Sequence, residues 1–252
     1  MVRVSVCMTT YNGEKYIYKQ IESILSQLEE DDEVIICDDG SSDSTIGIIS
    51  SFEDSRIKVV INEQNLGFSR NFSKCISLAQ GDFIFLSDHD DIWLPGKVRK
   101  YLEIFEGKAD VVSIMSNMEI IDENDLVTNP RFLNLSSGYG NRFYRVVKNF
   151  TKSTYYGCSI AFRKELKSKI LPLPFHFDTW VGLISDIYGR CYHLDEVTMQ
   201  YRRHGNNFST GKTSKLLTVV KWRLKLFLNL CTVVIGIRHK LTNSYFSRIL
   251  DI

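Results

Sequence analysis

Three short apolar runs, RVSVCM at 3–8, EVIIC at 33–37 and DFIFL at 82–86, each break off in a polar cluster: TTYN, DDGSSD and SDHDD. No other feature limits the possible folds as sharply. Short runs of branched and aromatic residues without polar alternation are strands buried on both faces. A fourth run, IKVVI at 57–61, leads into NEQNLGFSR. Between the runs the spacing becomes helical. Ile17, Ile21, Ile24, Leu25 and Leu28 mark a helix around Glu14–Gln27, with others at Thr45–Phe52 and Asn71–Ala79, and Pro95 opens one reaching about Phe105. Strand and helix alternate through about the first 105 residues. That is the pattern of an α/β, Rossmann-like, mostly parallel sheet with helices on both faces. Ligands bind such sheets beyond the carboxyl ends of the strands, so the three polar clusters are predicted to converge on one edge.

Beyond Asp110 the alternation becomes irregular. Val111–Ile121 reads as a strand, 122–152 as loop rich in aromatic and basic residues, and Cys158–Phe162 as a strand. A short helix is expected at Arg163–Ile170, another at Thr179–Tyr188, and one or two strands at Cys191–Arg202. The turn-rich HGNNFSTGKTSK leads to a basic C-terminal segment. From Lys212 onward eight Lys/Arg stand against one acid, a net of +7. The preceding residues hold 23 bases and 29 acids, a net of −6. An acidic body behind such a tail argues against nucleic acid and for a membrane surface or acidic partner. Lys215–Lys240 spaces Leu216, Leu217, Val220, Leu224, Phe227, Leu228 and Cys231 as an amphipathic helix, with Lys215, Lys221, Arg223 and Lys225 interleaved. It either packs on the body or lies in the membrane interface. The six cysteines form no CxxC pair and read as reduced core residues. No signal peptide is expected, and no segment has the ~20 apolar residues of a membrane span.

The polar clusters carry the chemistry. Asp88, Asp90 and Asp91 repel one another unless solvent or a cation intervenes, and one or two carboxylates with phosphate oxygens commonly hold Mg²⁺ or Mn²⁺. A solvated acidic turn is the alternative. In DDGSSDST, Asp43 or Ser44 suits a helix cap, whereas Asp38 and Asp39 exceed what a cap requires, and a carboxylate suits nucleobase N–H or ribose hydroxyls.

With these residues in view, the chain resembles the family 2 glycosyltransferases. The resemblance rests on CMTTYNGEKYIYKQIESILSQ, VIICDDGSSDST, NEQNLGFSRNFSKCISLAQGDFIFLSDHDDIWLPGKV, YGCSIAFRK, FHFDTW and YRRHGNN, in that order over roughly residues 3–210. It implies the GT-A fold, with a catalytic domain at 1–211 and the amphipathic helical tail at 212–252. A nucleotide-binding half at 1–106 and an acceptor half at 107–211 would make up that domain. It also implies a nucleotide-sugar donor and an inverting transfer dependent on Mn²⁺ or Mg²⁺. Thr9 and Tyr11 match residues around the nucleobase, and Asp39 matches the carboxylate at its N–H. Asp88-His89-Asp90 matches the DXD motif, with Asp90 as metal ligand and Asp88 at the ribose or metal. His89 receives no role. Arg70 stands where a residue near the donor is placed, or is surface charge.

Asp178 in FHFDTW matches the catalytic base; an N-cap is the alternative. A partly apolar wall would raise its pKa toward that of a useful base, and Trp180 could stack on a sugar. His204 matches a metal or diphosphate ligand, and Arg202 and Arg203 are phosphate clamps or surface charge. Asp186 and Glu165 are the reserve bases. The resemblance further implies a hexose or deoxyhexose passed to a lipid-linked saccharide in bacterial surface polysaccharide synthesis, O-antigen or capsule. UDP is the preferred nucleotide and dTDP-rhamnose the runner-up. The place of action would be the cytoplasmic side of the cell membrane, with peripheral contact through the tail. The rivals are a non-catalytic nucleotide-sugar binding module and a nucleotidyltransferase; the latter lacks the expected glycine-rich, basic phosphate loop.

Overall fold

The structure is a computed structural model and describes residues 3–133, 142–151, 155–205 and 216–234. Along the chain lie β1 (Val4–Thr10), α1 (Ile17–Leu25), β2 (Glu33–Asp38), α2 (Thr45–Ser50), β3 (Ile57–Ile61), α3 (Phe68–Leu78) and β4 (Phe83–Asp88). Then come β5 (Ile92–Trp93), α4 (Lys97–Gly107), β6 (Val111–Ile121), β7 (Val127–Asn129), α5 (Arg142–Thr151) and β8 (Ile160–Arg163). The last elements are α6 (Lys167–Ile170), α7 (Phe177–Tyr188), β9 (Arg190–Arg202) and α8 (Leu216–Val234). The chain separates into a body ending at Asn207 and a segment beginning at Phe208.

One sheet organises the body in the order β3-β2-β1-β4-β8-β6-β9-β5, with β7 paired to β6. The first four strands are parallel to one another. Antiparallel neighbours enter with β8, which joins β4 to β6, and β9 runs parallel to β6. Strand alternation sends Val4, Val6 and Met8 to one face, where they pack with Ile17, Ile21 and Ile24 of α1. Cys7 and Cys37 point to the other face, against Cys75 of α3. Helices therefore cover both faces. Five of the six cysteines are buried and all are free, as small core hydrophobes.

Several elements depart from the periodicity. α3 begins at Phe68, three residues before the expected Asn71. The expected loop at 122–152 contains β7 and the helix α5. Cys191–Arg202 is a single strand, extended to Arg190. In the C-terminal segment, α8 buries Leu226 and Leu230 and exposes Leu224, Phe227 and Leu228. The expected helix positions at Lys215 and beyond Val234 lie outside the described residues. Among the described residues no helix is long and apolar enough to cross a membrane.

Candidate active site

β1 lies between β2 and β4, and its register pairs Thr10 with Asp38 and Thr9 with Asp88. Three carboxyl ends thus meet, as the clusters predicted. Thr9 is buried and Tyr11 is 51% exposed at the strand mouth. Asp38 folds its own loop, accepting from the Gly40 and Ser41 amides at 3.0 and 2.8 Å. Asp39 accepts from the Leu66 and Gly67 amides at 2.7 and 2.9 Å and from Asn62 Nδ2 at 2.9 Å. A carboxylate offers about four acceptor positions, so most of Asp39 is engaged in tethering the loop before α3. That tether also explains why α3 starts early: Gly67 N is taken by Asp39, and Gly67 O accepts the Asn71 amide of the first turn. Arg70, in that turn, is exposed.

The SDHDD loop is organised from a distance. It runs into β5, whose Ile92 and Trp93 pair with Gln200 and Met199 of β9. This pairing returns the end of β9 to the acids. His204 Nε2 lies 2.9 Å from Asp90 Oδ2, and the Arg202 amide donates to Asp91 Oδ1 at 3.1 Å. Burial and the neighbouring carboxylates of Asp91, Asp90 and Asp178 push the Asp88 carboxyl well up. Asp91 is likewise pushed well up by burial and by Asp90. Burial would also raise Asp90, but the bond to His204 and the imidazoles of His89 and His204 bring it below the usual range. His89, left without a role by the sequence, packs on Gly13, where a Cβ would stand 2.3 Å from its ring.

This arrangement fits a divalent cation. Asp91 Oδ2 is buried without a hydrogen-bond partner. Asp88, Asp91 and Cys158 bring ligand atoms within 4.8 Å of one another, the only such group among the described residues. Asp90, whose charge acts on both Asp88 and Asp91, lies beside this group with its carboxylate bonded to His204, so hard oxygen ligands and an imidazole are gathered in one loop region. Sequence reasoning missed two members of this cluster. Cys158 is buried beside Asp91 and Asp88. Lys97 is 1% exposed, with Nζ 4.5 Å from the Trp93 ring centroid, and burial lowers its pKa to about 8. Only the unusual place of Lys97 on the apolar face of α4, beside Val98 and Tyr101, could have signalled it.

Asp178 approaches the same acids from α7. Its carboxyl accepts from the Gly157 amide and its own, while burial raises its pKa to about 6. The residue is half-buried and occupies the first turn of α7, whose N-cap is His176; Asp178 is therefore not the cap. Gly157 makes the contact possible, because a Cβ there would stand 2.6 Å from Asp178 Oδ1.

Three readings need correction. Trp180 is 1% exposed, and its Nε1 donates to the Ile170 carbonyl at 2.8 Å, so it is core and cannot stack on a sugar. Arg202 is neither clamp nor surface charge. It is 1% exposed, with Nε on the Asp90 carbonyl at 2.8 Å, Nη1 on the Asp122 carbonyl at 2.9 Å and its guanidinium over Tyr16. Asp186 is fully buried and paired with Arg145 at 2.8 Å, which removes it as a reserve base. Arg203 is exposed, over the Phe132 ring. A separate concavity of about 560 Å³, lined by Ser77–Gln80, Asp82, Lys164 and Lys167, contains none of the predicted site residues.

Comparison with known proteins places this geometry. The profile of Glycosyl transferase family 2 matches residues 5–171. An uncharacterized glycosyltransferase of Nostoc is 28% identical over 220 residues, covering 82% of this chain and 66% of the relative. The Escherichia coli enzyme WfgD, a UDP-Glc:alpha-D-GlcNAc-diphosphoundecaprenol beta-1,3-glucosyltransferase, is 27% identical over 221 residues, covering 84% of this chain and 82% of its own. Among solved structures, S. aureus TarS 1–349 in complex with UDP-GlcNAc superposes with a TM-score of 0.71 at 19% identity, over 90% of this chain and 67% of that one. A mannosyltransferase of Pyrobaculum calidifontis in complex with GDP-Man and Mn²⁺ gives 0.59 at 17% identity, over 82% and 58%. These two likenesses show the fold alone.

Proposed function

The chain belongs to the family 2 glycosyltransferases, and from that premise we propose an inverting, metal-dependent hexosyltransferase that uses a nucleotide-diphosphate sugar, UDP preferred. The acceptor in this reading is a lipid-linked saccharide of bacterial surface polysaccharide synthesis, at the cytoplasmic face of the membrane. The acceptor class is supported by WfgD, whose name specifies a diphosphoundecaprenol substrate. One observation carries the reading of the chemistry. Asp178, with its pKa raised to about 6, is among the charges that act on Asp88, so a basic carboxylate stands near the acid loop.

In this mechanism Thr9, Tyr11 and Asp39 receive the nucleobase, Asp39 also fixing the loop that walls it. Arg70 lies at the donor's outer side. Asp90 and His204, with Asp88 beside them, would hold Mn²⁺ or Mg²⁺. That ion, when bound, neutralises the leaving diphosphate. Asp178 accepts the proton of the acceptor hydroxyl as that oxygen attacks the anomeric carbon from the face opposite the diphosphate. The anomeric configuration inverts, and the nucleoside diphosphate departs. Holding both substrates in line lowers the barrier by several kcal/mol.

The test is a panel of nucleotide sugars, including dTDP-rhamnose, scored for metal-dependent nucleotide release with and without polyprenyl-diphosphate saccharides. Transfer from a UDP-sugar with inversion is expected. Donor binding without hydrolysis or transfer would identify a binding module instead.

A further inference from the structure

We infer that Tyr155 is a positioning residue: bonded to Asp186 and seated on Gly182, it docks residues 155–157 along α7 and so holds the Gly157 amide against Asp178. The docking stripe is built into the helix. Asp178, Gly182 and Asp186 follow one another at intervals of four in α7, the spacing that stacks positions on one face. Tyr155 OH donates to Asp186 Oδ2 at 2.6 Å. The Tyr155 ring fills the space that a side chain at residue 182 would need, since a Cβ there would stand 2.2 Å from its Cδ2 and Cε2 atoms. One turn nearer the start of α7, Gly157 meets Asp178 as closely, a Cβ there standing 2.6 Å from Oδ1. The two spacings agree. Residues 178 and 182 are about 6 Å apart along the axis at 1.5 Å per residue. Tyr156 is extended, at φ −128° and ψ 113°, so residues 155 and 157 span about 6.6 Å. Anchoring Tyr155 therefore sets the place of Gly157.

Two locally unfavourable choices serve this one contact. Glycine weakens a helix interior, and Asp186 is a fully buried carboxylate, costly unless paired. Arg145 Nε meets Asp186 Oδ1 at 2.8 Å, and Asn149 Nδ2 donates to Tyr155 OH at 2.8 Å, so the hydroxyl both receives and gives a hydrogen bond. His193 packs edge-on against the Tyr155 ring, with centroids 5.8 Å apart. Asn149, Tyr155 and His193 are all buried. A buried network satisfied in this way specifies one position for its members. Asp186, set aside as a base, thus acts on Asp178 through Tyr155 and the chain that follows it. For its catalytic consequence the inference rests on the reading of Asp178 as the base; the placement itself does not.

The experiment compares the full chain with Tyr155→Phe, which keeps the ring and loses only the hydroxyl. The Gly157 amide, followed by hydrogen exchange in NMR spectra, should exchange at least about tenfold faster in the variant. With UDP-glucose and Mn²⁺ as the probe, kcat for nucleotide release should fall roughly tenfold at unchanged KM. The acid limb of kcat/KM should move to higher pH, because the lost amide bond favoured the ionised form of Asp178. Asp88, Cys158 and Tyr156 are the ionisable groups whose charges meet that of Asp178, and Tyr155→Phe replaces none of them. His193, under the charges of Asp186, Lys148 and Arg145, also titrates on the acid side; Asp178→Asn, run in parallel, assigns the limb by abolishing it. Gly182→Ala crowds the ring while leaving every hydrogen-bonding group in place, and should change exchange and limb in the same sense. Wild-type exchange at Gly157 in both variants overturns the placement, whatever the activity or the melting temperature. Faster exchange with wild-type kcat and an unmoved limb overturns the positioning role. A limb that survives in Asp178→Asn defeats the base reading instead and leaves the exchange result standing.

Discussion

In the half of the sheet built by β1, β2 and β4, main-chain register brings the polar strand ends together, Thr9 opposite Asp88 and Thr10 opposite Asp38. In the half built by β6, β8 and β9 the cleft residues follow no such rule. Asp178 is set by the Gly157 amide, and His204 by a pairing of β5 with β9 that brings it to Asp90 across 114 residues. Main-chain register positions the first group, so side chains there are free to change. Tertiary contacts position the second, so neighbours matter as much as the residues themselves.

The comparison is broken most severely at Asp178. Asp178→Asn should lower kcat by about 100-fold or more, the range of a lost general base, with donor affinity held within a few fold. Stopped assays with calorimetry on the same samples measure both; surviving turnover would leave the second half without its reacting group. The raised pKa has a definite sign. The base works only when ionised, so wild-type kcat/KM should fall by about tenfold per pH unit below about 6, and the Asn variant should lose this limb.

Asp90→Asn comes next. Calorimetry with UDP and Mn²⁺ should show the metal-dependent part of donor binding lost, by more than about 100-fold, beyond the range of a typical outer-shell effect. If the affinity persists, Asp90 leaves the metal site. Gly157→Ala probes placement by pushing a Cβ against the Asp178 carboxylate while leaving that residue in place. It should cost roughly tenfold in kcat, because even small misplacement of a catalytic group is penalised; a wild-type rate would mean that Asp178 does not depend on the close approach to residue 157 that glycine allows. The smallest effect sharpens the contrast from the first half, just beyond the end of β2. Asp39→Ala should weaken UDP binding by about 1.5 kcal/mol, the low end for a hydrogen bond to a charged group. Unchanged UDP affinity would confine Asp39 to tethering residues 66 and 67.

This division also governs what the sequence could reveal. The parallel half was legible because its strands are buried on both faces and its helices carry apolar stripes, so pattern and burial coincide. α5 escaped because its buried position, Asn149, is polar while Phe143, Tyr144 and Val147 are exposed. β5 has only two residues and exists through its pairing with β9. Trp180 and Arg202 were misread because residue type does not reveal depth: one turned out to be core, the other a buried cation bonded to main-chain carbonyls. Lys97 escaped for the same reason. Asp39, by contrast, was located correctly at its strand end, but its loop partners lie 23 to 28 residues further on, where short-range spacing gives no warning.

The closure between Asp90 and His204 has a consequence for how the protein comes into being. During synthesis the donor half can collapse on its own short crossovers, while Asp90 and Asp91 wait for partners that emerge more than a hundred residues later. Contacts of such separation form late, since their loops must be closed before they return any stabilisation. Until then the nascent domain carries an acid cluster without its histidine, and a chain stopped before residue 204 keeps it. Binding competence therefore arrives almost at the end of the body, as a late event of folding rather than a property inherited from the first strands.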